Sequence, residues 1–263
     1  MILDTLAHSS RLRVEEAKIK IPLERMMQMA HRMPMGDGGR DFHKGLKEGD
    51  ISFICEVKKA SPSKGIIANM FPYRSIAKEY EGAGALAISV LTEPFYFKGS
   101  DQYLKEIASD VKIPVLRKDF TVDAYQIYEA KVLGASAVLL IAALLTTKQM
   151  EAYLSICRGL GLAALVEAHT REEIDSALEA GAKIIGVNNR NLKTFEVDIE
   201  NCIRLRDFVP TDIAYVAESG IQTPDTIKIL KEAGVNGVLI GETLMKSTDK
   251  KQMLAYLRGE GEI

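Results

Sequence analysis

From residue 51 onward the chain repeats one pattern: a short β-rich apolar run, a few polar residues, then a segment with helical spacing. The runs are Ile51–Val57, Ala85–Leu91, Ile113–Leu116, Ala137–Ile141, Ala163–Val166, Ile184–Val187, Ile213–Ala217 and Gly237–Ile240. Near-continuous apolar strands alternating with helices predict a parallel sheet covered on both faces. Eight such βα units in about 200 residues predict an α/β fold closed as a (β/α)8 TIM barrel. An open doubly wound sheet is the structural alternative, but it usually has fewer strands and often a G-x-G-x-x-G turn after the first. The stretch that follows the first strand here is SPSKG. Helix punctuation agrees with the repeat. Thr170 precedes Glu172, Glu173 and Ile174 as an N-cap, Thr223 precedes Pro224 in a first helical turn, and Gly134, Gly181 and Gly234 close three helices. Residues 1–48 read as a helical extension, Ile2–Ala17 then Pro22–Ala30, with a polar, Gly-rich break at Met35–Arg40. They are too short and amphipathic to hold a core alone. The whole chain, 1–263, therefore reads as a single domain, with the eight units over 51–263.

At 263 residues and 47% hydrophobic the chain is ample for one large core. A formal net charge of -2 offers no broad cationic field, which argues against nucleic acid or an anionic membrane as partner. The three cysteines, Cys55, Cys157 and Cys202, are scattered and fit reduced cytosolic thiols. MILDTLAHSSRLRVEEAK has no apolar signal core, and no apolar run reaches the ~18 residues of a membrane span. The expected location is cytoplasmic.

In such a barrel the active site lies at the C-terminal ends of the strands. There the chain abandons apolar residues. Strand 1 ends in Glu56-Val-Lys58, strand 3 in Arg117-Lys118-Asp119, strand 5 in Glu167, strand 6 in Asn188-Asn189-Arg190 and strand 7 in Glu218-Ser219-Gly220. Side chains alternate between faces of a strand. Glu56 and Lys58 share a face; Lys118 follows Leu116 by two, Glu167 follows Leu165 and Asn188 follows Gly186. Two lysines and two carboxylates then converge on the barrel mouth, where burial and mutual charge tune them for acid–base work. A buried structural ion-pair network explains any one of them equally well, but explains four on separate strands poorly. The last two units, with Gly220 and then Gly241-Glu242, put glycine where the chain leaves a strand, and Gly241–Lys246 fits the short helix that often accompanies a barrel phosphate site. His169 is a weaker candidate, because a helix-start histidine is more often solvent-facing. Glu218 reads as loop support through hydrogen bonding rather than as a catalytic group. Of Phe95, Tyr96 and Phe97, at least one is expected to meet a ligand. No spacing of His or Cys suggests a metal.

Together, ICEVKKASPSKG, LTEPFYFKGS, VLRKDF, LVEAH, GVNNRNLKTFEVD, AESGI and VLIGETLM stand in the order seen in indole-3-glycerol-phosphate synthase, which the chain resembles over nearly its full length. The resemblance implies closure of an indole ring in tryptophan biosynthesis. The substrate is 1-(2-carboxyphenylamino)-1-deoxyribulose 5-phosphate, a sugar phosphate; the products are indole-3-glycerol phosphate, carbon dioxide and water; no organic cofactor takes part. It implies that Lys118 is the general acid for ring closure. Glu167 would stabilise the cationic intermediate, and Lys58 would contact the substrate carboxylate and serve as acid in dehydration. Glu56 belongs to the same network, and Asn188 orients substrate hydroxyls. Ser219 is counted with this catalytic group and also, with Ser61, Gly220, Leu239, Gly241 and Glu242, matches substrate- and phosphate-binding positions; Pro62 and Phe97 match the walls around the aromatic ring, and Arg190 a polar support. One departure is Ala60, where some relatives carry Lys; Lys59 lies one residue earlier, and Lys64 is the replacement at hand. Other phosphate-binding barrels remain alternatives, among them a phosphoribosyl anthranilate isomerase and a Schiff-base lyase using Lys118, as does a barrel that only binds. A monomer or weak homodimer is expected.

Overall fold

The computed structural model describes residues 2–191 and 194–262; Leu192 and Lys193, part of one quoted motif, lie outside them. The eight apolar runs form eight strands: β1 Ser52–Val57, β2 Ala87–Leu91, β3 Val115–Lys118, β4 Ala137–Ile141, β5 Ala163–Ala168, β6 Ile184–Asn188, β7 Ala214–Glu218 and β8 Gly237–Ile240. Each is parallel to its neighbours, and β1 pairs with both β2 and β8, which closes the barrel. The fold is a TIM barrel.

Alternation sorts the strand residues into two cores. Ile54, Ala87, Leu116, Leu139, Leu165 and Val216 point inward and pack the barrel's centre. Cys55, Ile88, Val115, Val138, Val166 and Tyr215 point outward and pack beneath the helices. Those helices are α4 Tyr73–Gly82, α5 Asp101–Asp110, α6 Ala124–Val132, α7 Thr147–Gly159, α8 Arg171–Glu179, α9 Glu200–Leu205, α10 Pro224–Glu232, α11 Glu242–Lys246 and α12 Lys250–Leu257. Their starts are chemically marked. The hydroxyls of Thr170 and Thr223 accept backbone N–H groups of Glu173 and Thr226, and Asp123 makes a capping box with Gln126.

The extension contains α1 Ile2–Lys20, α2 Leu23–Arg32 and α3 Gly38–Lys47. The expected break at Met35–Arg40 is shorter than read, because α3 begins at Gly38. Gly38 and Gly39 lower the helix propensity of its first turn, so that turn reads as part of the break. Tertiary contact overrides that preference. A Cβ at Gly39 would strike the carbonyl of Gly161 and the backbone of Ala163, so the missing side chain lets α3 lie flat across the starts of the strands. Phe42 and Leu46 then plug the barrel's lower end, fully buried against its inner core. None of the described helices is long and apolar enough to cross a membrane.

Candidate active site

The opposite end of the barrel is open, with a cavity of about 530 Å3 among the strand ends. Lys118, last residue of β3, is at its centre. Its Nζ donates to Glu218 Oε2 at 2.8 Å and to Glu167 Oε2 at 3.1 Å. Asn188, last residue of β6, donates to the other Glu167 oxygen at 3.2 Å. Across the mouth, Lys58 Nζ is 2.6 Å from Glu56 Oε1. The expected convergence of Glu56, Lys58, Lys118, Glu167 and Asn188 is present, with Glu218 as a further member. Glu218 is 1% exposed and faces the cavity, where the sequence suggested loop support. The signal was available: it follows inward Val216 by two positions. Gly186 on the neighbouring strand leaves its space, since a Cβ there would meet Glu218 Oε1.

Residues beside Lys118 fix its strand. Arg117 points outward and is buried, donating to Asp101 and Glu129 at 2.8 Å each. Asp119 accepts two bonds from Arg13 of α1, at 2.7 and 3.0 Å, and one from Thr92 at 2.7 Å. The same helix brings Leu3 and Leu6 to the cavity wall. Sequence reasoning did not assign this role to the extension; only the apolar face of α1 hinted at it.

The remaining walls follow from loop chemistry. Buried Glu93 accepts the backbone N–H groups of Phe95, Tyr96 and Phe97, between 2.7 and 2.9 Å. That tight loop leaves Phe95 exposed and turns Phe97 to the cavity, near Phe120 at 6.1 Å between ring centroids. Ser61, Pro62 and Lys64 line it from the loop after β1, where Ala60–Ser61 pairs with Gly65–Ile66; Leu239 lines it from β8. Lys59 does not reach it, whereas Lys64 does.

At the exit of β7, Ser219 and Gly220 both take left-handed backbone, φ 68° and 81°. A non-glycine residue held there is strained by roughly 1–2 kcal/mol, and Asn189 steadies it by donating to the Ser219 carbonyl at 3.2 Å. Gly241 precedes α11, as expected. A Cβ on Gly241 would land on Glu56 Oε1 and Lys58 Nζ. The Glu242 carboxylate accepts from Lys246 at 2.6 Å and draws Lys64 and Arg190 to 3.7 and 3.8 Å. Arg190 also donates to the Phe195 carbonyl at 3.0 Å.

Electrostatics separate the carboxylates. Burial and the nearby Glu167 charge push Glu218 up to about 7, against the pull of Lys118. Glu167 is equally buried, but Lys118, His169 and the Asn188 amide hold it below the usual carboxylate range. Burial opposes the charge on Lys118, yet Glu218, Glu167 and Glu56 more than offset it and raise its proton affinity. His169 is not solvent-facing: its Nε2 is 3.5 Å from Glu167 Oε1.

Residues 3–257 match the family model described as indole-3-glycerol phosphate synthase. A protein of that name from Ruminiclostridium cellulolyticum is 57% identical over 98% of this chain and 99% of its own length. Another from Lachnoclostridium phytofermentans is 53% identical over the same shares. Among solved structures, a 3-hexulose-6-phosphate synthase superposes with a TM-score of 0.65 at 11% identity, covering 80% of this chain and 99% of that one. A thiamine phosphate pyrophosphorylase from Pyrococcus furiosus gives 0.60 at 18% identity, with 82% and 96% covered. At such identities these structures speak for the barrel alone.

Proposed function

The chain belongs to the indole-3-glycerol phosphate synthase family, a carboxy-lyase family of tryptophan biosynthesis, and on that premise we propose how its residues divide the ring-closing reaction. The substrate is 1-(2-carboxyphenylamino)-1-deoxyribulose 5-phosphate. Its aromatic ring sits between Pro62 and Phe97, with its carboxylate toward Lys58. The phosphate lies at the Ser219–Gly220 and Gly241 turns, where Lys64 and Arg190 are at hand in place of the lysine missing at position 60.

The ring carbon that bears the carboxylate attacks the ribulose C2 carbonyl, forming the new C–C bond and leaving the cation delocalised onto the ring nitrogen. Lys118, held protonated, donates to the oxygen as it becomes an alkoxide. Ionised Glu167 stabilises the cation formed at that moment, and Asn188 orients it and the substrate hydroxyls. Carbon dioxide departs and aromaticity returns. The C2 hydroxyl then leaves as water with a proton from Lys58, whose position Glu56 fixes. A ring proton is lost at the same time. Glu218, with an affinity near neutral, is the group best suited to take it. The single observation that carries this reading is Lys118 Nζ between Glu167 and Glu218 in one cavity. It also weighs against a Schiff base, which needs Lys118 as a neutral amine; borohydride should trap nothing.

The test uses the composition. The chain has no Trp, so an indole product is read directly by fluorescence over weak Tyr emission. With the carboxyphenylamino-deoxyribulose phosphate, wild type is expected to give a steady rise and Glu167→Gln almost none. Equal rates would remove Glu167 from the mechanism. The buried, unpaired Cys55, Cys157 and Cys202 support a cytoplasmic location, and the enzyme is proposed to act as a monomer or weak homodimer.

A further inference from the structure

His169 lies just beyond β5, outside the cavity and behind Glu167. Its ring is wedged between two carboxylates. Nδ1 is 3.3 Å from Glu173 Oε2 of α8, and Nε2 is 3.5 Å from Glu167 Oε1. The Glu173 carboxylate also accepts the His169 backbone N–H at 2.7 Å, and the His169 carbonyl accepts from Asn201 of α9 at 3.4 Å. The ring therefore faces a carboxylate at each end. Nε2 is buried and makes no hydrogen bond among the described residues; the Glu167 carboxylate stands before it at ion-pair distance.

A neutral imidazole has one N–H and one lone pair. If it donates to Glu173, its lone pair faces Glu167, a carboxylate that also has only lone pairs to offer. Only the imidazolium, with two N–H groups, serves both. We propose that His169 is a positioning residue for the reaction: as an imidazolium it bridges Glu173 to Glu167 and holds the Glu167 carboxylate ionised and aimed at Lys118. The resulting chain runs Glu173, His169, Glu167, Lys118, Glu218 across β5, β3 and β7. This rests on the role proposed above for Glu167.

The charges around the ring agree. Burial opposes protonation of His169, but Glu173 on α8, Glu167 on β5 and Glu218 on β7 together raise its proton affinity. Being a raised base, His169 loses its proton as pH climbs through its own midpoint. The support for Glu167 is then lost on the alkaline side. Glu218, used as a base, limits activity on the acid side, so the two limbs do not overlap in sign.

The first experiment reads the contact without turnover. There are four histidines in the chain, so 13C-labelled His resolves each ring by NMR, with His169→Gln identifying the signal. In wild type the His169 midpoint is expected above the ordinary imidazole value, and lower in Glu167→Gln as the facing charge is removed. An unmoved midpoint overturns the proposal whatever Glu167 does in catalysis. The second experiment is kinetic. His169→Leu should lower kcat about 10-fold or more with KM little changed, at an unchanged melting temperature. His169→Gln, which carries an uncharged donor to nearly the same point, should recover a large part of that loss and flatten the alkaline limb. A Leu variant with the wild-type pH profile, or a Gln variant that keeps the limb, refutes the positioning role. Loss of activity in Glu167→Gln, read alongside, tests the underlying assignment separately.

Discussion

Glu218→Gln should make the protein more stable and nearly inactive, and by an amount that depends on pH. The Glu218 carboxyl is fully enclosed, and burial and Glu167 move it from an ordinary 4.5 to about 7 in spite of Lys118. The unfolded chain ionises this group near 4.5. Below that, the group is protonated in both states and carries no penalty. Above it, the folded state resists ionisation and loses stability until pH 7, after which the loss is constant. A difference of about 2.5 pH units corresponds to about 3 kcal/mol. Gln mimics the neutral acid: its carbonyl still accepts from Lys118, and it has no charge to desolvate. The variant should therefore exceed wild type by about 3 kcal/mol at pH 8, or about 6–12 °C in Tm for a chain of this size. The advantage should shrink below about 0.5 kcal/mol at pH 4.5. Urea unfolding followed by circular dichroism at the two pH values measures both. A variant less stable than wild type at pH 8 would mean that Lys118 attracts the carboxylate more than burial and Glu167 repel it, and the base role would lose its support. A gain that persists unchanged at pH 4.5 would trace it to packing instead.

Other expectations follow from the same contacts. Gly241→Ala puts a methyl where Glu56 Oε1 and Lys58 Nζ now lie; displacing that pair should lower kcat/KM about 10–100-fold with circular dichroism unchanged. Phe42→Ala at the closed end of the barrel should cost about 3–5 kcal/mol in urea unfolding yet leave kcat at 25 °C as it was, because α3 is remote from the cavity. Arg13→Met removes the paired donor from buried Asp119. It should cost about 2 kcal/mol and raise KM, as α1 carrying Leu3 and Leu6 loosens from the wall.

The barrel was legible in the sequence because its signal is local and redundant. Each strand is a run of apolar residues, and a period of two assigns Lys118, Glu167 and Asn188 to the inner face without any knowledge of neighbours. Helix caps such as Thr170 and Thr223 are equally local. What the sequence hid depends on distant partners. The first turn of α3 looks like loop because Gly38 and Gly39 are poor helix formers, and their purpose is visible only when the carbonyl of Gly161 lies against Gly39. Arg13 and Asp119 are 106 positions apart; nothing in either neighbourhood announces the pair.

Glu218 and His169 show a subtler limit. For each, the commoner role of its residue type is the reading the sequence favours, loop support for one and exposure for the other. Residue type alone cannot say what a carboxyl or an imidazole titrates against. For Glu218 the deciding neighbours are Lys118 and Glu167, from strands 100 and 51 residues away in the chain (218 − 118 and 218 − 167). For His169 the deciding fact is that two carboxylates arrive at opposite ends of one ring. Proton affinity is a property of the assembled site, since it is set by burial and by charges within a few ångströms. The fold brings three carboxylates to one ammonium from different strands, and so makes Glu167 and Glu218, identical as residues, into an anion and a group poised near neutrality.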